Sequence, residues 1–279
     1  MNAPSPINDP SAFHSAAGEI RTAYLAQNRI AIGPPGDPQE FSREYQRFRR
    51  LLPERTPLRV LDIGCGTGAW SVHWVARGCK VSGVDFDPDF IARALRRQGL
   101  AGTGLFDGIV ADATKLPRSI GEFDVVTLNS LLEHVPDWRA AVNEAVRMLA
   151  PGGVLLLHTS NRYHPFQGEV NHFPFYPWLP GAVRDRVLAW IMKHRRDLVN
   201  YTDYPAVNWF SYPQLSRVLR EMNLEVYDRL DLMDPAQMTG LRAALRWMAP
   251  AHGRRRARGK FFFYLASPTV SLYARRPQV

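Results

Sequence analysis

Residues 60–68 read Val-Leu-Asp-Ile-Gly-Cys-Gly-Thr-Gly, an apolar stretch that runs directly into three closely spaced glycines. The apolar part predicts a buried strand over Leu58–Ile63, and the residues after the glycines predict a helix over Ala69–Arg77. Glycine allows positive φ and lets the backbone approach a ligand without a Cβ in the way. A strand that leads through such a turn into a helix indicates a ligand site at the carboxyl end of that strand.

Strands and helices alternate from this stretch up to residue 159. Such an alternation predicts a parallel sheet that helices cover on both faces, an α/β fold of the Rossmann-like, doubly wound kind. No internal repeat interrupts it. The other predicted helices are 39–52, Pro88–Gln98 and Asp137–Leu149, and the other predicted strands are Lys80–Val84, Leu105–Ala111, Phe123–Leu128 and Val154–Thr159.

The alternation stops after Thr159, where residues 160–210 form an aromatic- and proline-rich insertion with one predicted helix, Ala182–His194. An insertion of this length is usually functional, so we expect a lid or substrate segment. Ser211 then has the side chain and the position of a helix N-cap. The elements predicted after it are a helix over Tyr212–Met222, a strand over Leu224–Leu232, a helix over 236–249, a basic loop over 253–260 and a strand over Thr269–Ala274.

The predicted organisation has four parts. Apolar residues make up 46% of the 279 residues and charged residues 22%, enough to bury a substantial core. The parts are a flexible N-terminal arm (1–40), a ligand-binding core (41–159), the insertion (160–210) and a closing part of the sheet with a basic insertion (211–279).

Composition also limits the compartment and the partners. We expect neither a spanning helix nor a secretory leader, because no long uncharged apolar run occurs and the N-terminus lacks a basic segment followed by an apolar one. Cys65 and Cys79 can form neither a disulfide framework nor a four-cysteine zinc site, which predicts a reducing cytoplasm. The net charge of +9 lies entirely after Asp234, where nine basic residues and no acidic ones follow. This asymmetry indicates a local anionic partner.

Polar side chains stand at the ends of four successive predicted strands. Asp85 lies where a carboxylate can accept both hydroxyls of a ribose, and Asp112 and Asn129 follow the next two strands. The glycine spacing also satisfies the dinucleotide pattern, so a nicotinamide cofactor is the competing interpretation. Asp62 favours a ligand with a positively charged, amino-acid-like part, because a pyrophosphate needs no carboxylate beside its glycine turn.

Six motifs in the same order resemble those of class I S-adenosylmethionine-dependent methyltransferases. Their Leu-Glu-His-Val-Pro-Asp piece is most similar to the branch of the ubiquinone-biosynthesis O-methyltransferases and their type 11 relatives. The resemblance implies a seven-stranded sheet whose closing antiparallel pair is Leu224–Leu232 and Thr269–Ala274. The motifs are residues 60–68, Gly-Val-Asp at 83–85, Asp-Ala at 112–113, Phe-Asp-Val-Val at 123–126, Leu-Glu-His-Val-Pro-Asp at 132–137 and Leu-Ala-Pro-Gly-Gly-Val at 149–154.

The resemblance also implies S-adenosylmethionine as the cofactor and a role for each motif residue. The glycine turn would hold the methionine part, with Asp62 near its ammonium group. Asp85 would bind the ribose hydroxyls and Phe86 would lie against the adenine, whose amino group and ring nitrogen would pair with Asp112 and the Ala113 backbone. The implied set is Asp62, Gly64, Cys65, Gly66, Gly68, Asp85, Phe86, Asp112, Ala113 and, on the methionine side, Asn129.

Two histidines are candidate general bases for a hydroxyl acceptor, since a neutral imidazole suits that task near pH 7. His134 follows the fourth strand and His158 ends the fifth; the alternative for His134 is that it only orients its loop. Some relatives use a Glu-x-x-Glu-His metal site, but here Ser130 replaces the first glutamate. One carboxylate fewer leaves too few oxygen ligands for a hard cation, so we predict no metal.

The acceptor is the least constrained part of the prediction. Basic and aromatic residues in 182–196 and 253–265 favour an anionic membrane surface and a lipid-borne or amphipathic acceptor, on a cytoplasmic protein held peripherally at the inner face. The alternatives are an ordinary lid helix and a solvated loop, with a soluble metabolite as acceptor. RNA is a weaker alternative, because no RNA-binding module is recognisable. The last alternative is a module that binds the cofactor without catalysing methyl transfer.

Overall fold

The computed structural model describes residues 35–52, 57–100, 104–166, 169, 170, 173–199, 205–233, 264 and 267–278. They build one seven-stranded sheet in the order β3-β2-β1-β4-β5-β7-β6. Strands β1 to β5 run parallel, whereas β7 is antiparallel to both β5 and β6, so the predicted fold and the predicted antiparallel pair are confirmed. The strands are β1 Arg59–Ile63, β2 Lys80–Asp85, β3 Phe106–Val110, β4 Phe123–Asn129, β5 Leu149–Ser160, β6 Glu225–Asp228 and β7 Thr269–Arg275.

Side-chain caps begin three of the helices. The carboxylates of Asp37 and Asp137 accept from the Gln39 and Ala140 amides, and the hydroxyl of Ser211, the predicted N-cap, accepts from Gln214. The α-helices are α1 Pro38–Leu51, α2 Ser71–Val75, α3 Pro88–Leu100, α4 Trp138–Arg147, α5 Gly181–His194 and α6 Tyr212–Glu221.

The sheet has a buried core on each face. One core joins β-strand residues to α4 and α6, with Leu61, Leu128 and Leu155 fully buried. The other joins them to α1 and α2, where Phe48 and Trp74 pack beside Tyr273. The insertion has a smaller core of its own, which includes Tyr176, Leu188, Ile191 and Trp209.

Several predicted elements differ in length from the structure. Helix α2 covers only Ser71–Val75 of the predicted Ala69–Arg77. Strand β6 ends at Asp228 rather than at residue 232, because the Asp228 and Asp231 side chains each accept the other's backbone N–H and turn the chain. The predicted helix 236–249 and basic loop 253–260 lie outside the described residues.

The sequence of 182–194 predicts a helix with Val183, Val187, Leu188, Trp190 and Ile191 largely on one side, but helix α5 does not bury these residues together. Leu188 and Ile191 pack into the core of the insertion, whereas Val183 and Trp190 are 43% and 56% exposed. The two pairs therefore face different surroundings, the first the core of the insertion and the second the solvent. No helix within the described ranges is long and apolar enough to cross a membrane.

Candidate active site

A cleft of about 400 Å³ opens at the carboxyl ends of β1, β2 and β3. This is the edge at which open α/β sheets bind ligands, and the volume falls in the ordinary range for small-molecule sites. Both the core motifs and the turn that follows β4 contribute to its walls. The lining residues are Gly64, Val84, Asp85, Phe86, Ala111, Asp112, Ala113, Thr114, Leu131, His134, Val135, Pro136 and Asp137.

The glycine turn fits closely at one point and is open at another. Gly64, Gly66 and Gly68 all have positive φ. A Cβ on Gly64 would lie 2.7 Å from Leu131 Cδ1, whereas one on Gly66 would meet nothing within 4 Å. The amides of Gly64 and Cys65 both donate to the Val84 carbonyl, at 2.7 and 3.0 Å, which fixes the turn against β2.

Asp85 connects the glycine turn to the end of β2. One of its carboxylate oxygens accepts from the Gly66 amide at 2.9 Å and the other from the Asp87 amide at 3.0 Å. Burial raises the pKa of Asp85 to about 6, although the two backbone donors act in the opposite direction. A carboxylate has about four acceptor positions, so two remain for hydroxyl groups in the cleft.

Asp62 lies behind the turn and does not line the cleft. Its carboxylate accepts from Ser71 Oγ at 2.5 Å and from Thr127 Oγ1 at 2.8 Å, and its side chain is buried. Burial raises its pKa, and these two hydrogen bonds oppose the shift. The neighbouring Cys65 thiol is also buried, and burial together with the two nearby aspartates raises its pKa. Asp62 therefore links β1 to β4 and α2.

Asn129 and His158 line a second, smaller cavity of about 30 Å³ on the α1 side of the sheet. Glu40, Glu44 and Trp70 are among the residues that enclose it. The His158 Nδ1 lies 2.7 Å from Ser271 Oγ. Burial lowers the pKa of His158 to about 4, and the charge of Arg229 adds to the effect. His158 is therefore neutral near pH 7 but a weak base.

The turn after β4 brings His134 into the main cleft. Ser130 has the left-handed φ of 51° and its amide donates to the His158 carbonyl, which redirects the chain out of the sheet. The amides of His134 and Val135 then donate back to Leu131 and Leu132. His134 Nε2 lies 3.9 Å from a carboxylate oxygen of Glu169, which belongs to the insertion.

Glu133 is buried beside this pair. Its carboxyl accepts from Thr159 Oγ1 at 2.6 Å, and burial raises its pKa to about 8, with the charge of Glu169 as a further cause. Among the described residues no group of three His, Cys, Asp or Glu side chains is placed to hold a metal ion.

The structure thus separates the predicted site residues into three groups. Gly64, Asp85, Phe86, Asp112, Ala113 and His134 line the main cleft; Asn129 and His158 line the second cavity; Asp62, Cys65, Gly66 and Gly68 support the turn. Sequence reasoning missed two residues of the insertion that contact the His134 turn, Glu169 and Asn208. Neither belongs to a motif, so no local signal could have found them.

Comparison with known proteins extends these observations. A family model described as a methyltransferase domain matches residues 38–228. The ubiquinone biosynthesis O-methyltransferase of Psychrobacter cryohalolentis is 39% identical over 107 residues, which are 37% of this chain and 41% of that protein. The malonyl-[acyl-carrier protein] O-methyltransferase of Enterobacter lignolyticus is 37% identical over 154 residues, 55% of each chain. The alignments therefore span about half the length of these relatives.

Two solved structures share the fold. The YcgJ protein from Bacillus subtilis superposes with a TM-score of 0.50 at 16% identity, over 85% of this chain and 100% of that one. The [4+2]-cyclase SpnF gives a TM-score of 0.50 at 20% identity, over 85% and 82%. Since one of the two is named as a cyclase, the shared fold does not by itself determine the reaction.

Proposed function

The chain belongs to the methyltransferase domain family, and from that premise we propose that it transfers a methyl group to an oxygen of a lipid-borne or amphipathic small molecule, such as a quinol precursor or a glycolipid sugar. Its cofactor is S-adenosylmethionine, which supplies a methyl group already activated on a sulfonium. The observation that carries the proposal is the shared cleft: His134 lines the same cavity as Gly64, Asp85 and Asp112.

The residues of the cleft fit this cofactor. Two acceptor positions of the Asp85 carboxylate remain for the ribose hydroxyls, and the half-exposed Phe86 ring offers a flat apolar face to an adenine. Asp112 and Ala113 line the adjoining wall. A Cβ on Gly66 would meet no atom within 4 Å, so the absence of a side chain at Gly66 leaves open space beside the glycine turn. Asp62, buried and doubly hydrogen-bonded, supports the turn from behind.

His134 is the group that we propose as general base. Its imidazole would take the proton of the acceptor hydroxyl, and the Glu169 carboxylate at 3.9 Å would stabilise the resulting imidazolium. His158 is the alternative base, but burial lowers its pKa to about 4, which makes it a weak proton acceptor near pH 7. A His134→Ala substitution should lower kcat by about 10²-fold or more for a hydroxyl acceptor.

A second acceptor class is a carboxylate carried on a protein. The 37% identity to a malonyl-[acyl-carrier protein] O-methyltransferase favours it. A carboxylate has an ordinary pKa near 4 and has no proton to lose near pH 7, so its methylation needs no general base. Methylation that survives His134→Ala would therefore indicate this class.

The insertion carries the surface that we propose for contact with an anionic membrane. Phe166, Phe175 and Trp178, here called the aromatic patch, are 64%, 48% and 51% exposed. The ring centroids of Phe166 and Phe175 are 6.4 Å apart, and those of Phe175 and Trp178 are 4.9 Å apart. Exposed basic residues follow on and after α5: Arg186, Lys193, Arg195 and Arg196. Apolar rings next to positive charge suit an anionic lipid surface.

The basic segment of residues 253–265 supports this proposal by its sequence alone. Of residues 253–265 the structure describes Tyr264, whose ring is buried and stacks on Tyr212 at 4.4 Å. Tyr264 therefore belongs to the core and not to a lipid-facing surface.

The experiment that tests the acceptor class uses the full chain, methyl-labelled S-adenosylmethionine and an extract of the producing cell, separated into organic, aqueous and protein fractions. Label in the organic fraction supports a lipid-borne acceptor. Label confined to the aqueous fraction would refute it in favour of a soluble metabolite, and label on protein would indicate the carboxylate class. Absence of transfer despite cofactor binding would indicate a non-catalytic module. Asp85→Asn serves as the control with impaired cofactor binding.

A further inference from the structure

The insertion leaves the sheet and returns to it at neighbouring points. Asn161, the first residue after β5, forms a parallel bridge with Phe210, and the Arg162 amide donates to the Phe210 carbonyl at 2.7 Å. The last residues of the insertion therefore lie beside the turn that follows β4. Their position is set by the base of the insertion, not by its outer part.

Asn208 donates hydrogen bonds to backbone carbonyls of that turn. Its side-chain amide donates to the Leu132 and Val135 carbonyls at 3.2 and 2.7 Å. The backbone amides of Val207 and Asn208 both donate to the Glu133 carbonyl, at 2.8 and 3.0 Å. Four hydrogen bonds from two adjacent residues thus reach the segment on either side of His134.

Glu169 reaches the His134 ring from the first half of the insertion. It is 8% exposed, and one carboxylate oxygen accepts from Ser160 Oγ at 2.9 Å while the other lies 3.9 Å from His134 Nε2. A buried carboxylate that is anchored on one oxygen keeps the other in a defined position. The turn itself starts at the left-handed Ser130, whose amide donates to the His158 carbonyl of β5, and it continues outside the sheet.

We infer that Asn208 and Glu169 are positioning residues for His134: Asn208 fixes the turn and Glu169 fixes the imidazole. The inference rests on the proposed function, since it concerns the base of that reaction. It gives the insertion a task in the site, which is to hold the turn that carries the proposed base.

The first test does not require an acceptor. Hydrogen–deuterium exchange of the full chain is compared for the native protein, Asn208→Ala and the control Asn143→Ala, whose side chain is exposed on α4. We expect exchange in a peptide that covers residues 131–137 to rise about tenfold in Asn208→Ala only, as loss of two hydrogen bonds makes local opening easier. Unchanged exchange there would overturn the role of Asn208.

The second test is a double-mutant cycle with Glu169→Gln, which keeps the size of the side chain. With methyl-labelled S-adenosylmethionine and a total bacterial lipid extract, Glu169→Gln should lower kcat about tenfold in the native protein and have no further effect in a His134→Ala background. Glu122→Gln, an exposed glutamate outside the site, is the matched control.

The outcomes separate the two proposals. Equal losses from Glu169→Gln in both backgrounds would show that Glu169 acts independently of His134, which overturns its positioning role. If His134→Ala is fully active, or if nothing in the extract is methylated, the proposed function fails, and the exchange measurement still decides whether the insertion holds the turn.

Discussion

Burial raises the pKa of two carboxyl groups, those of Asp85 and Glu133, by different amounts. Asp85 reaches about 6 and Glu133 about 8. Asp85 accepts two backbone amides, which favour its charged form. Glu133 accepts one hydroxyl and lies near the charge of Glu169, which disfavours a second negative charge. At neutral pH Asp85 is therefore a carboxylate and Glu133 is mostly protonated.

The pKa of Asp85 predicts how cofactor affinity depends on pH. In the proposed site only the carboxylate form of Asp85 would accept both ribose hydroxyls, so the affinity for S-adenosylhomocysteine should fall about tenfold from pH 7 to pH 5, a range that spans the pKa of about 6. Isothermal titration calorimetry measures this. Asp85→Asn should bind weakly at both values, and the exposed Asp107→Asn should behave like the native protein. An equal pH dependence in Asp85→Asn would contradict the assignment.

The pKa of Glu133 predicts how stability depends on pH. The folded chain holds a proton that the unfolded chain releases above the ordinary pKa near 4.5, so this group lowers the free energy of unfolding progressively as pH rises from about 4.5 to 8. Glu133→Gln removes the titration and keeps an acceptor for Thr159. Relative to the native protein it should gain stability with rising pH, by at most about 1.4 kcal/mol per pH unit.

Urea unfolding at pH 5, 6, 7 and 8 measures this difference. Glu122→Gln is the control, because its carboxyl is exposed. A Glu133→Gln effect that is the same at every pH would show that Glu133 is ionised in the folded chain throughout.

The element that decides the site is the turn between β1 and α2. Gly64 and Gly78 both have positive φ, 73° and 76°, but a Cβ on Gly64 would collide with Leu131 whereas one on Gly78 would meet nothing. Substitutions at the two glycines therefore distinguish the effect of backbone strain from the effect of a changed cleft shape. Leu131 lines that cleft, so its displacement would change the space in which we propose that the cofactor binds.

Substitution of either glycine by alanine should cost about 1–2 kcal/mol of stability, because an L-residue is strained in the left-handed region. Only Gly64→Ala should also weaken S-adenosylhomocysteine binding, by about tenfold or more. Thermal unfolding and calorimetric titration of the pair measure the two effects. Equal affinities in Gly64→Ala and Gly78→Ala would mean that the turn does not approach the cofactor.

At the scale of the whole molecule the charge is unevenly placed. Residues up to Asp234 are neutral overall, and the excess of nine positive charges lies in the last 45 residues. The aromatic patch on the insertion adds exposed apolar area. Together they predict binding to a negatively charged membrane that depends on both salt and aromatic side chains.

Vesicles of phosphatidylcholine with and without phosphatidylglycerol test this prediction by co-sedimentation of the full chain. Binding should require phosphatidylglycerol and weaken as salt approaches 0.15 M, where the screening length is about 8 Å. Trp178→Ala should weaken it about tenfold through lost apolar contact. Leu95→Ala, an exposed leucine on α3, is the control. Equal binding of Trp178→Ala and the native protein would remove the aromatic patch from the interface.

Regular elements were predictable where one local pattern dominates. The apolar run of β1 and the side-chain cap of Ser211 are local features, and both are confirmed. The end of β6 and the orientation of Trp190 were not predictable. The first depends on reciprocal hydrogen bonds between Asp228 and Asp231, and the second on which side of α5 the insertion covers.

The sequence by itself predicted the parallel sheet, because strand–glycine–helix patterning is local along the chain. The resemblance of its motifs implied the closing antiparallel pair, the family and the cofactor. Only the tertiary structure decided which of these residues share a cavity. It placed His134 in the main cleft and His158 behind it, and it brought Glu169 and Asn208 to the turn from 35 and 74 residues further along the chain. Contacts between such distant segments depend on how the insertion closes on β5, which no local pattern encodes.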